Sequence, residues 1–339
     1  MREIVVGVIG CGYWGPNVLR SFAAVPGCRV KRAADRRPGR LRFVAQQFPG
    51  VDLSLAHEEI LRDPEINAVC VVTPVSTHHQ LALAALRAGK HVFIEKPLSA
   101  RVSEAQEIVA IAEHEGLVVG VGHLFEYHPA ITAVHSAIAD GAIGELAYMD
   151  AARINLGPPA SEVNVLWDLA PHDISILISL AGRAPESVTA FAASYVRDGM
   201  IDSAYLHLEF PGSRMGHIHV SWLSPHKTRR LWVMGTRGSI LYDDTAADKV
   251  RIFDEGFDSR IGAGADDARA LFYRPAKEEV PVLASDEPLR LECEEFVRAI
   301  RTGRAPRVDG ASGLRVVRVL TAAGLSLARG SAKVPLAEV

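Results

Sequence analysis

Val5-Val6-Gly7-Val8-Ile9-Gly10-Cys11-Gly12-Tyr13-Trp14-Gly15 is the stretch on which the reading of this chain turns. An apolar, β-branched run leads directly into Gly-x-Gly-x-x-Gly, and an acidic residue, Asp35, stands 20 positions beyond Gly15 (35 − 15 = 20). Glycines at that spacing are a weak signal alone. A strand before them, a helix after them and an acid at the end of the next strand make a dinucleotide-binding fingerprint. Gly10 permits the tight turn, Gly12 lets backbone approach a pyrophosphate, and Gly15 lets helix and strand pack closely. The pyrophosphate then meets free N–H groups at the positive end of the helix. Tyr13 and Trp14 belong to the same turn and count among the cofactor-binding residues. Asp35 is suited to accept hydrogen bonds from ribose hydroxyls and to repel a 2′-phosphate, which favours NAD. Arg36 and Arg37 beside it can stack on adenine or hold that phosphate, so NADP stays open.

Working outward, apolar runs alternate with amphipathic stretches as far as residue 123. Strands are expected at 4–9, 29–35, 68–72, 91–94 and 117–121, with helices at 14–24, 39–48, 77–88 and 103–115. The strands read as near-continuous apolar runs, as parallel strands buried on both faces do. Residues 1–123 are therefore expected to form an α/β domain of Rossmann type, a doubly wound parallel sheet that binds a dinucleotide. Residues 124–339 read as an α+β domain with a large, mainly antiparallel sheet that binds substrate. Helices are expected at 129–139 and 169–181, and strands at 145–154, 187–196, 203–210, 215–222, 229–234 and 239–242. Pro211-Gly212-Ser213 and Thr236-Arg237-Gly238 have hairpin-turn chemistry. Residues 254–287 look irregular, a surface loop or arm, before closing helices at 289–301 and 312–328.

The 339 residues exceed one ordinary core, and a composition 48% hydrophobic and 23% charged is that of a globular protein. A net charge of -3 gives no support to nucleic-acid or membrane partners and suits a small-molecule enzyme. The N-terminus lacks a signal-peptide pattern, which points to the cytoplasm. Four cysteines without a Cys-x-x-Cys pair read as reduced thiols. His217 and His219 share a strand face with Ser221, but no third ligand has metal spacing, so no metal is expected.

Two segments carry acid/base residues. Glu95-Lys96-Pro97 ends the expected strand 91–94, at the edge where open α/β sheets bind ligands. A lysine there can polarise a hydroxyl or carbonyl and relay its proton; the plain alternative is a surface lysine. In Trp167-Asp168-Leu169-Ala170-Pro171-His172-Asp173, Asp168 and His172 stand four apart on one helical face. The carboxylate can fix the imidazole tautomer while His172 accepts a proton. The alternative is that Asp168 serves only as the N-cap.

Together, GCGYWG at 10–15, Thr73-Pro74-Val75-Ser76-Thr77-His78, Ala88-Gly89-Lys90-His91-Val92, Glu95-Lys96-Pro97, and Asp168 with His172 resemble the Gfo/Idh/MocA oxidoreductase family over essentially the whole chain. The resemblance implies that Thr73, Pro74 and His78, with Glu95, Lys96 and Pro97, line the cofactor crevice. It implies that Lys96, Asp168 and His172 form the catalytic acid/base group beside the nicotinamide. It also implies a homodimer or homotetramer formed through the open face of the second sheet, which would make the second domain oligomerising as well as substrate-binding. GYWGPN, residues 153–157 and 164–173, and Ser221-Trp222-Leu223 are similar to the branch of nucleotide-sugar 3-dehydrogenases and sugar ketoreductases. On that branch the substrate would meet Lys96, Tyr127, Arg153, Asn155, Asn164, Asp168 and His172. His128 departs from the branch, where many relatives carry Asn, so the preferred sugar can differ. Arg229 and Arg230 either reach a substrate diphosphate or are solvated at a strand edge. The expectation is an NAD(P)-dependent enzyme interconverting a sugar alcohol and ketone. A dehydrogenase of a free polyol such as an inositol is the nearest alternative, and a non-catalytic NAD-binding regulator the alternative from another class.

Overall fold

Strands without a polar face must be covered on both sides, and Ile4–Ile9 and Ala68–Val71 are buried at every position. The computed structural model describes residues 3–157, 163–260 and 270–339. In chain order the elements are β1 (Ile4–Ile9), α1 (Gly15–Ala23), β2 (Cys28–Ala34), α2 (Pro38–Gln47), β3 (Asp52–Ser54), α3 (Glu58–Arg62), β4 (Ala68–Val71), α4 (His78–Arg87), β5 (His91–Glu95), α5 (Val102–Glu115) and β6 (Val119–Gly122). There follow α6 (Pro129–Ala139), β7 (Leu146–Leu156), α7 (Val165–Ala181), β8 (Ser187–Ala193), β9 (Ser203–Phe210), β10 (Arg214–Ser221), β11 (Leu223–Gly235) and β12 (Ser239–Asp243). The chain closes with β13 (Val250–Arg260), β14 (Ala270–Glu279), α8 (Pro288–Thr302), α9 (Gly310–Ala328) and β15 (Val334–Pro335).

Two compact units result. One joins Met1–His128 with Asp286–Thr321 and Val339; the other joins Pro129–Ser285 with Ala322–Glu338. The sequence boundary at 123/124 had assigned residues 286–321 to the second domain. They group with the first because α8 carries core residues of that unit: Leu289, Cys293, Phe296 and Val297 join Val18, Leu19, Phe22 and Phe93. Phe22, Phe93 and Phe296 meet edge-to-face with centroids 5.6 to 6.0 Å apart, a geometry that adds to the ~1.5–3 kcal/mol gained by burying each ring.

The sheet of the first unit is wholly parallel, in the order β3-β2-β1-β4-β5-β6. Strand order reverses between β1 and β4, so the ligand crevice of such a sheet opens beyond their C-terminal ends. β3 and α3, absent from the sequence reading, are three and five residues long, too short to show a period. The Ala88–Val92 motif has a structural explanation. The buried Lys90 ammonium donates to the carbonyls of Asp63 (2.8 Å) and Ile66 (2.7 Å), closing the loop that precedes β4.

The second unit holds a nine-stranded sheet, β14-β13-β12-β11-β7-β10-β9-β8-β15. Every neighbouring pair is antiparallel except β7 with β10. Alternation along β9 buries Ala204, Leu206, Leu208 and Phe210, while Tyr205, His207 and Glu209 take the other face. α7 packs against the apolar face, and Gly216 admits it, since a Cβ there would lie 2.8 Å from Leu177. On the opposite face Tyr205 stacks on His219 at 4.1 Å, and His207 pairs with His217 at 4.7 Å. The irregular arm expected over 254–287 is corrected in part. β13 and β14 pair as a hairpin extending the sheet edge, with a register shift after Asp254. Residues 158–162 and 261–269 lie outside the described residues. α9 is long and apolar enough to cross a membrane by length and composition alone. Its Val316, Val317, Val319, Leu320, Ala322 and Ala323 are buried, and Arg315 and Arg318 interrupt it, as in a core helix.

Candidate active site

In the first unit the glycine turn is dictated by space. Gly10 has φ +100°, and a Cβ there would sit 2.3 Å from the Val72 carbonyl oxygen; one on Gly15 would sit 2.3 Å from that of Gly10. β1 therefore passes into α1 with its backbone bare. Asp35 ties the turn down: its carboxylate accepts from the Cys11 N–H (2.9 Å) and from the Arg37 N–H (2.8 Å). A carboxylate has about four acceptor directions, so capacity remains for two ribose hydroxyls. Burial, reinforced by Asp35, pushes the Cys11 thiol up to about 12, so it stays protonated.

The structure adds one basic residue that sequence reasoning missed. Arg36 and Arg37 are exposed, whereas Arg40, one turn into α2, lies 3.6 Å from Asp35 and 3.1 Å from the Cβ position of Gly12. α2 starts at Pro38, one residue before the expected 39, and the fold brings Arg40 in its first turn back towards the glycine turn, a proximity the sequence does not show. The bare glycine turn, the Asp35 acceptors and the Arg40 guanidinium fit a dinucleotide. Exchanging Asp35 for Ser is expected to raise KM for NAD about 10-fold, the value of one charged hydrogen bond, and to lower KM for NADP. Initial rates with the two cofactors read this directly; an unchanged KM ratio would remove Asp35 from ribose recognition.

The other residues assigned to the crevice gather at the ends of β4 and β5. Thr73 and Pro74 follow β4, and the Thr73 hydroxyl accepts from that of Thr77 at 2.7 Å. Buried His78 straps the two strand ends, its ring nitrogens facing the carbonyls of Thr73 (2.7 Å) and Pro97 (2.9 Å). Burial holds the imidazole below its ordinary range despite those carbonyls. His78 thus acts as a bracket. The Lys96–Pro97 peptide is cis. Glu95 ends β5, where surrounding protein desolvates its half-buried carboxyl and pushes it up to about 7. Tyr13 is almost wholly exposed, but Trp14 turns inward and donates its indole N–H to Glu95 at 2.7 Å. Tyr127 is buried, with Arg307 over its ring and its hydroxyl accepting from the Val308 N–H at 3.3 Å, which makes it a structural residue of this unit.

In the second unit, α7 begins four residues earlier than expected. Its N-cap is Asn164, whose side chain accepts from the Trp167 N–H at 3.2 Å. Asp168 is therefore a first-turn residue and not the cap. One of its oxygens accepts from the Trp222 indole N–H at 3.3 Å, and His172 follows one turn on, 9% exposed. Arg153 is not placed for open substrate contact. It is buried and donates to both carboxylate oxygens of Asp173, at 2.8 and 2.9 Å. Asn155 is half-buried beside Gly157 and Trp222. Arg229 pairs with Asp244 at 3.2 Å, while Arg230 is exposed. No group of three metal-ligating side chains occurs among the described residues.

Comparison with known proteins agrees with this geometry. Residues 4–123 match the oxidoreductase family with an NAD-binding Rossmann fold, and residues 131–241 match the GFO/IDH/MocA C-terminal domain. The chain is 28% identical to the UDP-N-acetylglucosamine 3-dehydrogenase of Acidithiobacillus ferrooxidans, over 94% of this chain and 95% of that protein. It is also 28% identical to the scyllo-inositol 2-dehydrogenase (NAD(+)) of Bacillus subtilis, over 91% and 88%. A solved structure of UDP-N-acetylglucosamine 3-dehydrogenase from Acidithiobacillus ferrooxidans superposes with a TM-score of 0.82 at 26% identity, covering 96% of this chain and 98% of that one. With both halves of the family matched and a glycine turn shaped for a dinucleotide, the chain belongs to the GFO/IDH/MocA family of NAD-binding oxidoreductases.

Proposed function

We propose that the chain interconverts a secondary alcohol and a ketone at C3 of a nucleotide-activated sugar, with NAD as cofactor. The observation carrying this reading is the Asp168–His172 pair near the start of α7. Asp168, anchored by Trp222, stands one turn before the buried imidazole of His172. A carboxylate at i and a histidine at i+4 share a helical face, so the anion stabilises the imidazolium formed when His172 takes a hydroxyl proton. Lys96 supplies an ammonium that stabilises the oxyanion developing on the sugar and passes its proton towards solvent. The nicotinamide, when bound, supplies the two-electron acceptor for hydride. In the reductive direction the same side chains protonate a ketone.

The nucleotide-sugar class draws support from the similarity to UDP-N-acetylglucosamine 3-dehydrogenase. A free polyol is the second reading, because the similarity to scyllo-inositol 2-dehydrogenase is equal in identity. Absorbance at 340 nm with NAD or NADP, against UDP- and dTDP-sugars and free inositols, separates the two. Reduction only with a nucleotide sugar is expected; turnover of inositol alone would establish the second reading. We further propose that a second copy covers the open sheet face, where Phe191 and Tyr205 are 58% and 54% exposed, which sedimentation velocity reads as a dimer or tetramer.

A further inference from the structure

We propose that Trp14 is a positioning residue for Lys96: its indole N–H, donated to Glu95, ties the cofactor's phosphate-binding turn to the strand end that presents the lysine. This rests on the reading of Lys96 as a catalytic group. Trp14 is the N-cap residue of α1, inside the Gly-x-Gly-x-x-Gly turn. Its Nε1 lies 2.7 Å from one carboxylate oxygen of Glu95, and the Lys96 main-chain N–H donates to the other at 3.3 Å. Gly122 on β6 leaves room for that carboxylate, since a Cβ there would fall 2.9 Å from it. One carboxyl group thus joins the turn after β1 to the end of β5, across the point where strand order reverses.

The surroundings make this link sensitive to charge. Lys96 is the cation next to Glu95 and favours its ionised form, as does the indole N–H. Glu292 and Cys293 face it from α8, and Cys70 from β4. Burial pushes all three well above their ordinary values, which favours their uncharged forms. Glu292 is 2% exposed, and neither of its oxygens has a hydrogen-bond partner among the described residues. Glu95 is the carboxyl adjoining Lys96 in the chain, and the Trp14 indole donates to it. Removing that donor leaves a desolvated carboxylate one hydrogen bond poorer, and it takes up a proton at higher pH. Lys96 then loses its neighbouring anion, and the turn loses its tie to β5.

The test is Trp14→Phe, which keeps an aromatic ring and deletes the donor. With a substrate found in the 340 nm assay, kcat at pH 7 is expected to fall about 10-fold, the worth of a hydrogen bond to a charged group. The acid limb of the kcat profile is expected to move up by about one pH unit, because protonation of Glu95 becomes easier. Glu95→Gln removes the titrating group, so that limb disappears. Trp14→Phe combined with Glu95→Gln is then no worse than Glu95→Gln alone. Wild-type kcat and an unmoved limb in Trp14→Phe would overturn the proposal, as would additive losses in the double variant. If Trp14→Phe does not fold, Glu95→Gln decides alone, and an unmoved acid limb overturns it. Lys96→Ala separates the underlying reading. Retained turnover there sinks the catalytic role of Lys96, while the Trp14→Phe limb still reports on the indole–carboxylate tie.

Discussion

Lys96→Ala is expected to lower turnover by about 10²-fold or more, close to 3 kcal/mol of transition-state stabilisation, which is the usual worth of a positioned acid/base group. The substitution isolates the ammonium. The hydrogen bond that Lys96 gives to Glu95 comes from its main-chain N–H, which alanine keeps. His78 still straps the ends of β4 and β5 through the carbonyls of Thr73 and Pro97. NADH affinity should accordingly stay within about threefold, because the glycine turn and Asp35 are untouched. Lys96→Arg restores little, since a planar guanidinium neither releases a proton near neutrality nor matches a point charge. Steady-state kinetics with a fluorescence titration of NADH give both quantities. Unchanged kcat would end the catalytic assignment, and a raised KM for NAD at constant kcat would make Lys96 a binding residue instead.

The largest expected effect on stability lies in the second unit. Arg153 and Asp173 form a bidentate pair whose side chains are 4% and 8% exposed. Arg153→Ala strands the Asp173 carboxylate without its counter-charge, and breaking one half of a buried pair costs about 3–5 kcal/mol. For a chain of this size the midpoint of thermal unfolding should drop by on the order of 10 °C. Asp173→Ala should be similarly damaging, and replacing both partners by apolar residues should recover much of the loss. At a temperature where the variant is folded, kcat is expected to stay near the wild-type value. Normal stability with a raised KM for the sugar would reverse this and return Arg153 to substrate recognition.

The first unit was largely legible because its signals are local and redundant. β1 is a six-residue apolar run followed by obligatory glycines, and both its bounds agree with the sequence reading. The start of α7 was misread because Pro171 suggested a late start, yet it lies inside the helix, and Asn164 caps the chain four residues ahead of Asp168. Arg153 was assigned to the substrate through resemblance to the nucleotide-sugar branch, whereas its partner Asp173 is 20 positions away, a pairing that only the fold reveals. Arg40 was passed over for the same reason: its neighbour Gly12 belongs to a turn separated from it by the whole of β2. The β13–β14 hairpin escaped because its composition is that of a loop, and its strands are held by backbone pairing at the edge of an existing sheet.

The membership of α8 in the first unit has a consequence for how the chain is made. Phe296 completes the ring cluster begun by Phe22 and Phe93, yet it is synthesised more than 200 residues after Phe93 (296 − 93 = 203). A nascent chain that has delivered all six parallel strands still exposes the surface that α8 will cover, throughout translation of the nine-stranded sheet's first eight strands. At about 5–20 residues per second that interval lasts roughly 10–40 s, long for an unfinished core and within the reach of chaperones. The two units are thus interleaved in time: the one begun first is finished only after most of the other has been made.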